Sequence, residues 1–272
     1  MGKIVPDRII MFSGGLTSYE AARRTIQEYP NDRVRLWFAD TKMEDEDLYR
    51  FNTEVEKSLG IEIEVLDQGM DVWETFTKHR FLGNSRIDPC SKYLKRVPLR
   101  KFLEREYPDP EEVVIILGMD DIEDCDRIKR SASYWKPYNV DFPLTRGTPS
   151  FKHNIVEELR AIGIEPPRLY EMGFRHNNCG GFCVKAGQGQ FAHLLETMPD
   201  RFAYHENKEQ EFRDWIGKDV AILKRMRQGI TKPFTLKELR EAHEAGETFR
   251  YDVFGGGAAC NCMGDLDEVE ES

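Results

Sequence analysis

Two groups of residues in this 272-residue chain have the types and spacing to do chemistry. The first is Ser13-Gly14-Gly15-Leu16-Thr17-Ser18. The apolar run Ile9-Ile10-Met11-Phe12 before it reads as a buried strand, and Tyr19–Ile26 after it as a helix opening. A strand, a tight glycine turn and a helix N-terminus make an anion cradle. Glycine lets the backbone approach a phosphate, free N–H groups point at it, and the helix dipole favours negative charge. Ser13, Thr17 and Ser18 add hydroxyl donors. The loop is shorter than a Walker A motif, lacks its lysine, and is not G-x-G-x-x-G. An ordinary βα turn rich in Gly and Ser is the structural alternative.

The second group is Cys179-x3-Cys183 with Cys260-x-Cys262. Gly180-Gly181 lies inside the first pair and Gly255-Gly256-Gly257 before the second. Such glycines let backbone fold tightly and leave N–H groups free to donate to sulfur. Four thiolates suit tetrahedral zinc or an iron–sulfur cluster, and the spacing separates neither. If the fold brings Cys90 to the Cys179 loop, then Cys90, Cys179 and Cys183 would hold three irons and leave a fourth open to carry an extra sulfur atom. The alternatives are a structural staple for the C-terminal segment, or unliganded buried thiols. Cys125 reads as a buried thiol, and His176, beside Asn177 and Asn178, as a hydrogen-bonding loop residue.

These residues need elements to position them. Residues 1–40 read as a βαβ unit: a strand over 8–12, a helix over 18–28 ending before Pro30, and a strand Val34–Ala39. Crossovers of this length imply parallel strands with a helix packed on the sheet. Asp40-Thr41 falls at the carboxyl end of the second strand, where open α/β sheets bind ligands. These side chains suit a ribose hydroxyl or Mg²⁺, and equally a helix N-cap. Glu44, Asp45, Glu46 and Asp47 load the next helix N-terminus with acids, which the dipole explains. Ile61–Leu66 alternates as a strand, Val72–Lys78 looks helical, and Phe81–Asp88 reads as a loop. Beyond it, Lys92, Lys95 and Arg96 would offset phosphate charge or form a basic solvent face. Val113–Gly118 is another buried strand, followed by Arg127 and Arg130, both suited to a phosphate or substrate. Ile155–Ile162 reads as a short helix. Residues 184–250 read as helical, with apolar stripes at Phe191, Leu194, Leu195 and Met198, at Phe212, Trp215 and Ile216, and at Val220, Leu223 and Met226. Thr235 and Glu238 suit an N-terminal capping box, and Lys224, Arg225 and Arg227 make a small basic patch.

Hydrophobic content of 40% and charged content of 32% are those of a soluble globular protein. No apolar run is long enough to span a bilayer, and the first residues lack a signal-peptide core, so a cytoplasmic location is expected. A net charge of −10 excludes wholesale wrapping of nucleic acid but leaves room for a local basic face. The tail Asp265–Ser272 carries five acids and reads as a solvated end.

The loop Ser13–Ser18 resembles the SGGxDS pyrophosphate loop of the adenine nucleotide alpha-hydrolase (PP-loop, N-type ATP pyrophosphatase) superfamily, with Thr17 where the family has Asp. That replacement removes a carboxylate suited to Mg²⁺. Asp40-Thr41-Lys42 resembles the "DTG" of PAPS reductase-like chains. Pro89–Leu99 is similar to their "CC…K…PL" segment, with Ser91 for the second Cys. Gly118, Glu123 and Arg127 fit "G-x-R-x-x-E-x-x-R" loosely, Asp120 replacing the arginine. Phe142-Pro143-Leu144 resembles the family's "PL", and Gly163–Phe174 its "G-x-P-x-x-P-L-Y-x-x-G-F" run, which also leads into a cysteine pair. These matches fall in order across residues 8–183.

The resemblance implies an α/β fold, a mostly parallel sheet sandwiched by helices, with a C-terminal helical region and a Cys-rich metal site. It implies a nucleotide-binding domain over 1–183 and a C-terminal region over 184–272 bearing the CxC segment and acidic tail. Ser13, Gly14, Gly15, Leu16, Thr17, Ser18, Asp40, Thr41 and Gly118 would hold ATP or PAPS with Mg²⁺. Ser13, Cys90, Lys95 and Arg127 would take part in the chemistry. Cys179, Cys183, Cys260 and Cys262 would ligate an iron–sulfur cluster or zinc. The implied reaction is adenylation of an acceptor, a small molecule or a nucleic-acid base, with pyrophosphate release and sulfur transfer. A sulfur-donor protein and a homodimer are the implied protein partners, with no membrane. PAPS or adenylyl-sulfate reduction is a rival, although Ala259-Cys260-Asn261-Cys262-Met263 differs from the Glu-Cys-Gly-type end of those reductases. Thr17 keeps a third reading open, a nucleotide-binding accessory protein without catalysis.

Overall fold

Short apolar strands alternate with amphipathic helices through the first half of the chain, and that alternation builds a wound sheet. The computed structural model describes residues 5–120, 125–149 and 151–251. Its elements begin β1 (Asp7–Met11), α1 (Leu16–Glu28), β2 (Val34–Asp40), α2 (Glu46–Leu59), β3 (Ile63–Asp67) and α3 (Val72–His79). A π-helical turn, Ser91–Arg96, runs directly into α4 (Val97–Glu106). Then follow β4 (Val113–Ile116), α5 (Cys125–Tyr134), β5 (Asn139–Asp141), α6 (Lys152–Ala161), α7 (Arg168–Glu171), α8 (Gln188–Thr197) and α9 (Pro199–Ile216). The chain continues through β6 (Leu223–Arg227), β7 (Ile230–Phe234) and α10 (Leu236–Glu244).

The first five strands form one sheet in the order β3-β2-β1-β4-β5, every neighbouring pair parallel. Successive side chains of a strand face opposite sides. Ile10, Phe12, Leu36, Phe38 and Ile116 pack with Leu16, Tyr19, Leu48 and Phe51 of α1 and α2. Ile9, Met11, Trp37, Ile115 and Leu117 pack on the other side with Leu99, Leu103 and Trp135. Both faces are covered over the middle of the sheet, which is why Ile9–Met11 of β1, Leu36–Ala39 of β2 and Val113–Ile116 of β4 are unbroken apolar runs. This is the expected α/β architecture. The chain winds outward from β1 to β3, then crosses back to β4 on β1's other side. The carboxyl ends of β1 and β4 therefore flank a topological switch point, where wound sheets leave a crevice.

The region after residue 184 corrects the all-helical reading. Leu223 and Met226 are spaced like a helix stripe, yet they lie in an antiparallel β6–β7 hairpin. Gln228 and Gly229 between the strands take φ of +50° and +78°. Two left-handed residues in a two-residue connection match the twist of a hairpin and end any helix. The capping box is found as read: Thr235 Oγ1 accepts from Glu238 N–H (3.1 Å), and Glu238 accepts from Thr235 N–H (2.7 Å).

A third apolar cluster joins Trp73 and Phe76 of α3 to Phe182, Phe191, Phe202, Phe212, Phe234 and Leu239. Glu209 lies within this region, 1% exposed. Its carboxylate accepts from Ile222 N–H (2.9 Å) and Leu236 N–H (2.6 Å), so α9 holds both ends of the hairpin. Burial pushes its pKa up to about 7, against the pull of those two N–H bonds. A pKa raised on folding contributes stability below the unfolded value near 4.5 and loses it as pH climbs through 7. Urea denaturation of wild type and Glu209→Gln should show the variant's deficit shrinking between pH 5 and pH 8, by on the order of 2 kcal/mol. An unchanged deficit across that range would remove Glu209 as the source.

A cationic cleft backed by a thiol chamber

The loop Phe12–Gly15 leaves the buried end of β1 and enters α1, with Gly15 as N-cap. Ser18 Oγ donates to the Gly15 carbonyl (2.8 Å) and accepts from Ser13 Oγ and Gly15 N–H, both at 3.2 Å. Two distant side chains complete the loop. Leu16 N–H donates to the Tyr170 hydroxyl (3.3 Å), and Asn177 Nδ2 donates to the Gly14 carbonyl (3.3 Å). Gly14 and Leu16 thus form the back of the loop, while Ser13, Gly15, Thr17 and Ser18 line a cleft in front of it.

Gly118, just beyond β4, forms the facing wall. A Cβ there would stand 2.6 Å from the Thr17 carbonyl oxygen and 2.9 Å from Ser18 N. Glycine is required because two backbones meet at this point. Lys95, Arg127 and Lys152 bring three cations to the cleft, with Asp120, Tyr170 and His176. The expected Lys95 and Arg127 therefore line the same cleft as the Ser13–Ser18 loop. His176 is a cleft residue, and its Nε2 is buried without a hydrogen-bond partner among the described residues. Burial first, then Lys152, Arg175 and Arg127, depresses its pKa to about 3, so the ring is neutral.

Asp40 and Thr41 lie outside the cleft lining. Asp40 accepts from Lys42 N–H (2.8 Å) and the Tyr49 hydroxyl (2.9 Å). The N-cap of α2 is Asp45, which accepts from Asp47 N–H (3.0 Å). Thr41 faces a second, smaller cavity, lined also by Cys90, Cys179, Cys183, Asp88 and Lys185. Lys95 borders both cavities. Its ammonium pairs with Glu44 (3.5 Å), and Glu44 also accepts from Thr41 Oγ1 (2.9 Å) and Cys179 N–H (2.7 Å). Burial opposes the Lys95 charge, but Glu44 and the nearby thiols outweigh it and raise its pKa.

Cys179, Gly180 and Gly181 have φ of +48°, +58° and +87°, a left-handed bend that only the glycines adopt without strain. A Cβ on Gly180 would overlap the Arg201 guanidinium. Arg201 in turn donates to Asp45 Oδ2 (3.1 Å) and the Glu44 carbonyl (3.0 Å). Burial pushes the Cys90 thiol up to about 12 and raises Cys179 and Cys183 as well. Thiolate ligation would displace those protons. Among the described residues, no group of three or more His, Cys, Asp or Glu side chains stands in a metal-ligating arrangement. Cys260 and Cys262 lie outside the described residues. The three remaining thiols nevertheless share one chamber, and their type suits a thiophilic centre. Cys125, read as buried, is exposed.

Sequence reasoning missed Glu44, Asp45, Tyr170, Lys152 and Arg201. The acids were explained by the helix dipole, which one capping residue already satisfies. Asp45 is instead fully buried between Arg168 (2.8 Å) and Arg201 (3.1 Å). The available signal was the excess: four consecutive acids are more than an N-terminus needs.

A parallel wound sheet with a hydroxyl- and cation-lined cleft at its switch point places this cleft where open α/β proteins bind ligands. Residues 8–135 match the model of the phosphoadenosine phosphosulfate reductase domain family. The chain is 27% identical over 240 residues to an uncharacterized protein of Methanocaldococcus jannaschii, covering 83% of this chain. It spans about half, 48%, of that relative's length. Among solved structures it is similar to phosphoadenylyl-sulfate reductase from Candida auris in a phosphate complex, with 15% identity and TM-score 0.42 over 61% of this chain and 78% of that one. It is also similar to the U34-tRNA thiolase NcsA from Methanococcus maripaludis with its [4Fe-4S] cluster, with 14% identity and TM-score 0.43 over 79% and 72%. A third is the NH3-dependent NAD synthetase from Campylobacter jejuni, with 14% identity and TM-score 0.36 over 80% and 88%. No described helix is long and apolar enough to cross a membrane.

Proposed function

We propose that the chain is an ATP-dependent enzyme that adenylates an acceptor and releases pyrophosphate, with the thiol chamber serving sulfur transfer. The observation that carries this reading is the convergence of Ser13, Thr17 and Ser18 with Lys95, Arg127 and Lys152 on one cleft. An acceptor oxygen attacks the alpha-phosphorus, the bond from that phosphorus to the bridging oxygen breaks, and pyrophosphate leaves with the electron pair. Such chemistry needs positioning and charge neutralisation more than covalent help from the protein. The three cations offset the developing charge. Asp120, the carboxylate in the cleft lining, would hold Mg²⁺ together with the phosphates. Neutral His176 offers its unpartnered Nε2 to the bound substrate.

Cys90, Cys179 and Cys183, which share the chamber, would hold an iron–sulfur cluster with one iron open, or Cys179, Cys183, Cys260 and Cys262 would together hold a cluster or zinc. When bound, that centre would supply or carry sulfur. The left-handed Cys179–Gly181 bend and Lys95 shape its surroundings. Reduction of a phosphoadenylyl or adenylyl sulfate is the second reading, favoured by the family match over residues 8–135.

The test is product release by full-length protein prepared anaerobically. Pyrophosphate from ATP, dependent on one member of a panel of small-molecule and nucleic-acid acceptors, supports the first reading. Sulfite from PAPS replaces it with the second. Nucleotide binding without either product leaves an accessory protein. Metal content and visible absorbance of Cys90→Ser and Cys179→Ser variants report the centre independently of turnover: both should lose it, and full retention in either would remove that cysteine from the ligand set.

A further inference from the structure

The hairpin Leu223–Phe234 contributes nothing to the cleft or the thiol chamber, yet its composition is unusual for this chain. Residues 223–234 carry Lys224, Arg225, Arg227 and Lys232 and no acid, in a protein of net charge −10. The base is anchored by the buried pair Leu223 and Phe234 and by Gln188 Nε2, which donates to the Lys224 carbonyl (2.7 Å). Lys224 and residues 226–232 are exposed, so both faces of the ribbon reach solvent. Met226 is 72% and Ile230 61% exposed. Arg225 stands directly opposite Lys232 in the ladder. Like charges at such a position are destabilising. The fold tolerates the pair by tying Arg225 to Glu247 (2.9 Å) and laying its guanidinium 3.6 Å from the Phe234 ring centroid. A stand-off ribbon that is cationic at some cost to its own ladder is built for an anionic partner.

We infer that this ribbon docks double-stranded DNA. A two-stranded ribbon fits the major groove of B-form DNA, about 12 Å wide, whereas the A-form major groove of RNA is too deep and narrow for side chains to read. Single-strand binders present aromatic platforms for bases. The exposed tip, residues 226–232, has no aromatic residue, and Phe234 is buried at the base. Lys224 and Lys232 flank the ribbon at positions suited to phosphates. Arg227, 75% exposed and only loosely paired with Glu247 at 4.0 Å, and Gln228 at the tip are the residue types that pair with guanine and adenine edges. The acidic remainder of the chain confines the footprint to the ribbon. The inference stands apart from the reading of the cleft.

Neutralising two phosphates gives a slope of about −1.8 in log affinity against log salt, or about a 12-fold loss from 50 to 200 mM. Fluorescence anisotropy of the full chain with a labelled 20-base-pair DNA duplex should show this dependence. The Lys224→Ala/Arg227→Ala/Lys232→Ala variant should lose at least tenfold in affinity and most of the salt slope. A charge-matched control, Lys57→Ala/Lys101→Ala/Arg105→Ala, should stay within about twofold. Circular dichroism and urea midpoints verify that both variants are folded, as expected for exposed positions. The inference fails if duplex DNA does not bind at 50 mM salt, or if RNA duplex or single strand binds as tightly. It fails equally if the control loses as much as the ribbon variant.

Discussion

Gly118→Ala is expected to reduce ATP affinity by about 100-fold or more while the protein remains folded. The added methyl would lie 2.6 Å from the Thr17 carbonyl oxygen and 2.9 Å from Ser18 N. Both are backbone atoms in the first turn of α1, so no side chain can rotate away, and the helix start must shift. Overpacking of this kind costs about 1–3 kcal/mol of stability. Displacing a binding constellation by about 1 Å costs on the order of 100-fold in function. Calorimetric titration with ATP, set beside a urea denaturation curve, separates the two effects. Affinity within twofold of wild type would show that the loop is not where phosphate binds.

Lys95→Met is expected to be the most destabilising single change near the site. Lys95 and Glu44 side chains are 8% and 1% exposed and face each other at 3.5 Å. Removing one partner of a buried ion pair strands the other charge, at about 3–5 kcal/mol. For a chain of this size that corresponds to roughly 10 °C in Tm. Adding Glu44→Gln to Lys95→Met should recover more than half of the loss, because the stranded carboxylate disappears. The amide side chain keeps an oxygen for one of the two donors that Glu44 now serves, Thr41 and Cys179 N–H. Thermal unfolding of the two variants and wild type checks this, and a double variant no better than the single would assign the loss to packing around the lysine stem.

The wound sheet was legible because its information is local. Ile9–Phe12, Val34–Ala39 and Val113–Gly118 are apolar runs ended by turn residues, and all three lead to strands of the central sheet. Ser13–Ser18 is likewise one contiguous stretch, and Ser13, Thr17 and Ser18 line the cleft while Gly14 and Leu16 do not. The hairpin was misread because Leu223 and Met226 satisfy a helical period by chance, and the deciding signal is the single pair Gln228-Gly229. The partners of the site were illegible for a different reason. Tyr170 meets Leu16 across 154 positions, Asn177 meets Gly14 across 163, and Cys179 meets Glu44 across 135. No window of sequence contains both halves of such a contact. Thr41 shows the limit of reasoning from strand ends alone: it stands at the right edge of the sheet but turns toward the thiols.

Those long-range ties set a timetable for synthesis. The glycine turn emerges from the ribosome well before its supports: the hydroxyl of Tyr170 and the amide of Asn177 that hold it are translated more than 150 codons later. Until then the nascent polypeptide displays the Ser13–Ser18 turn with no support behind it. Contacts so distant in sequence form late, after the loop-closure entropy has been met. The back of the turn is therefore complete only once Asn177 has left the exit tunnel.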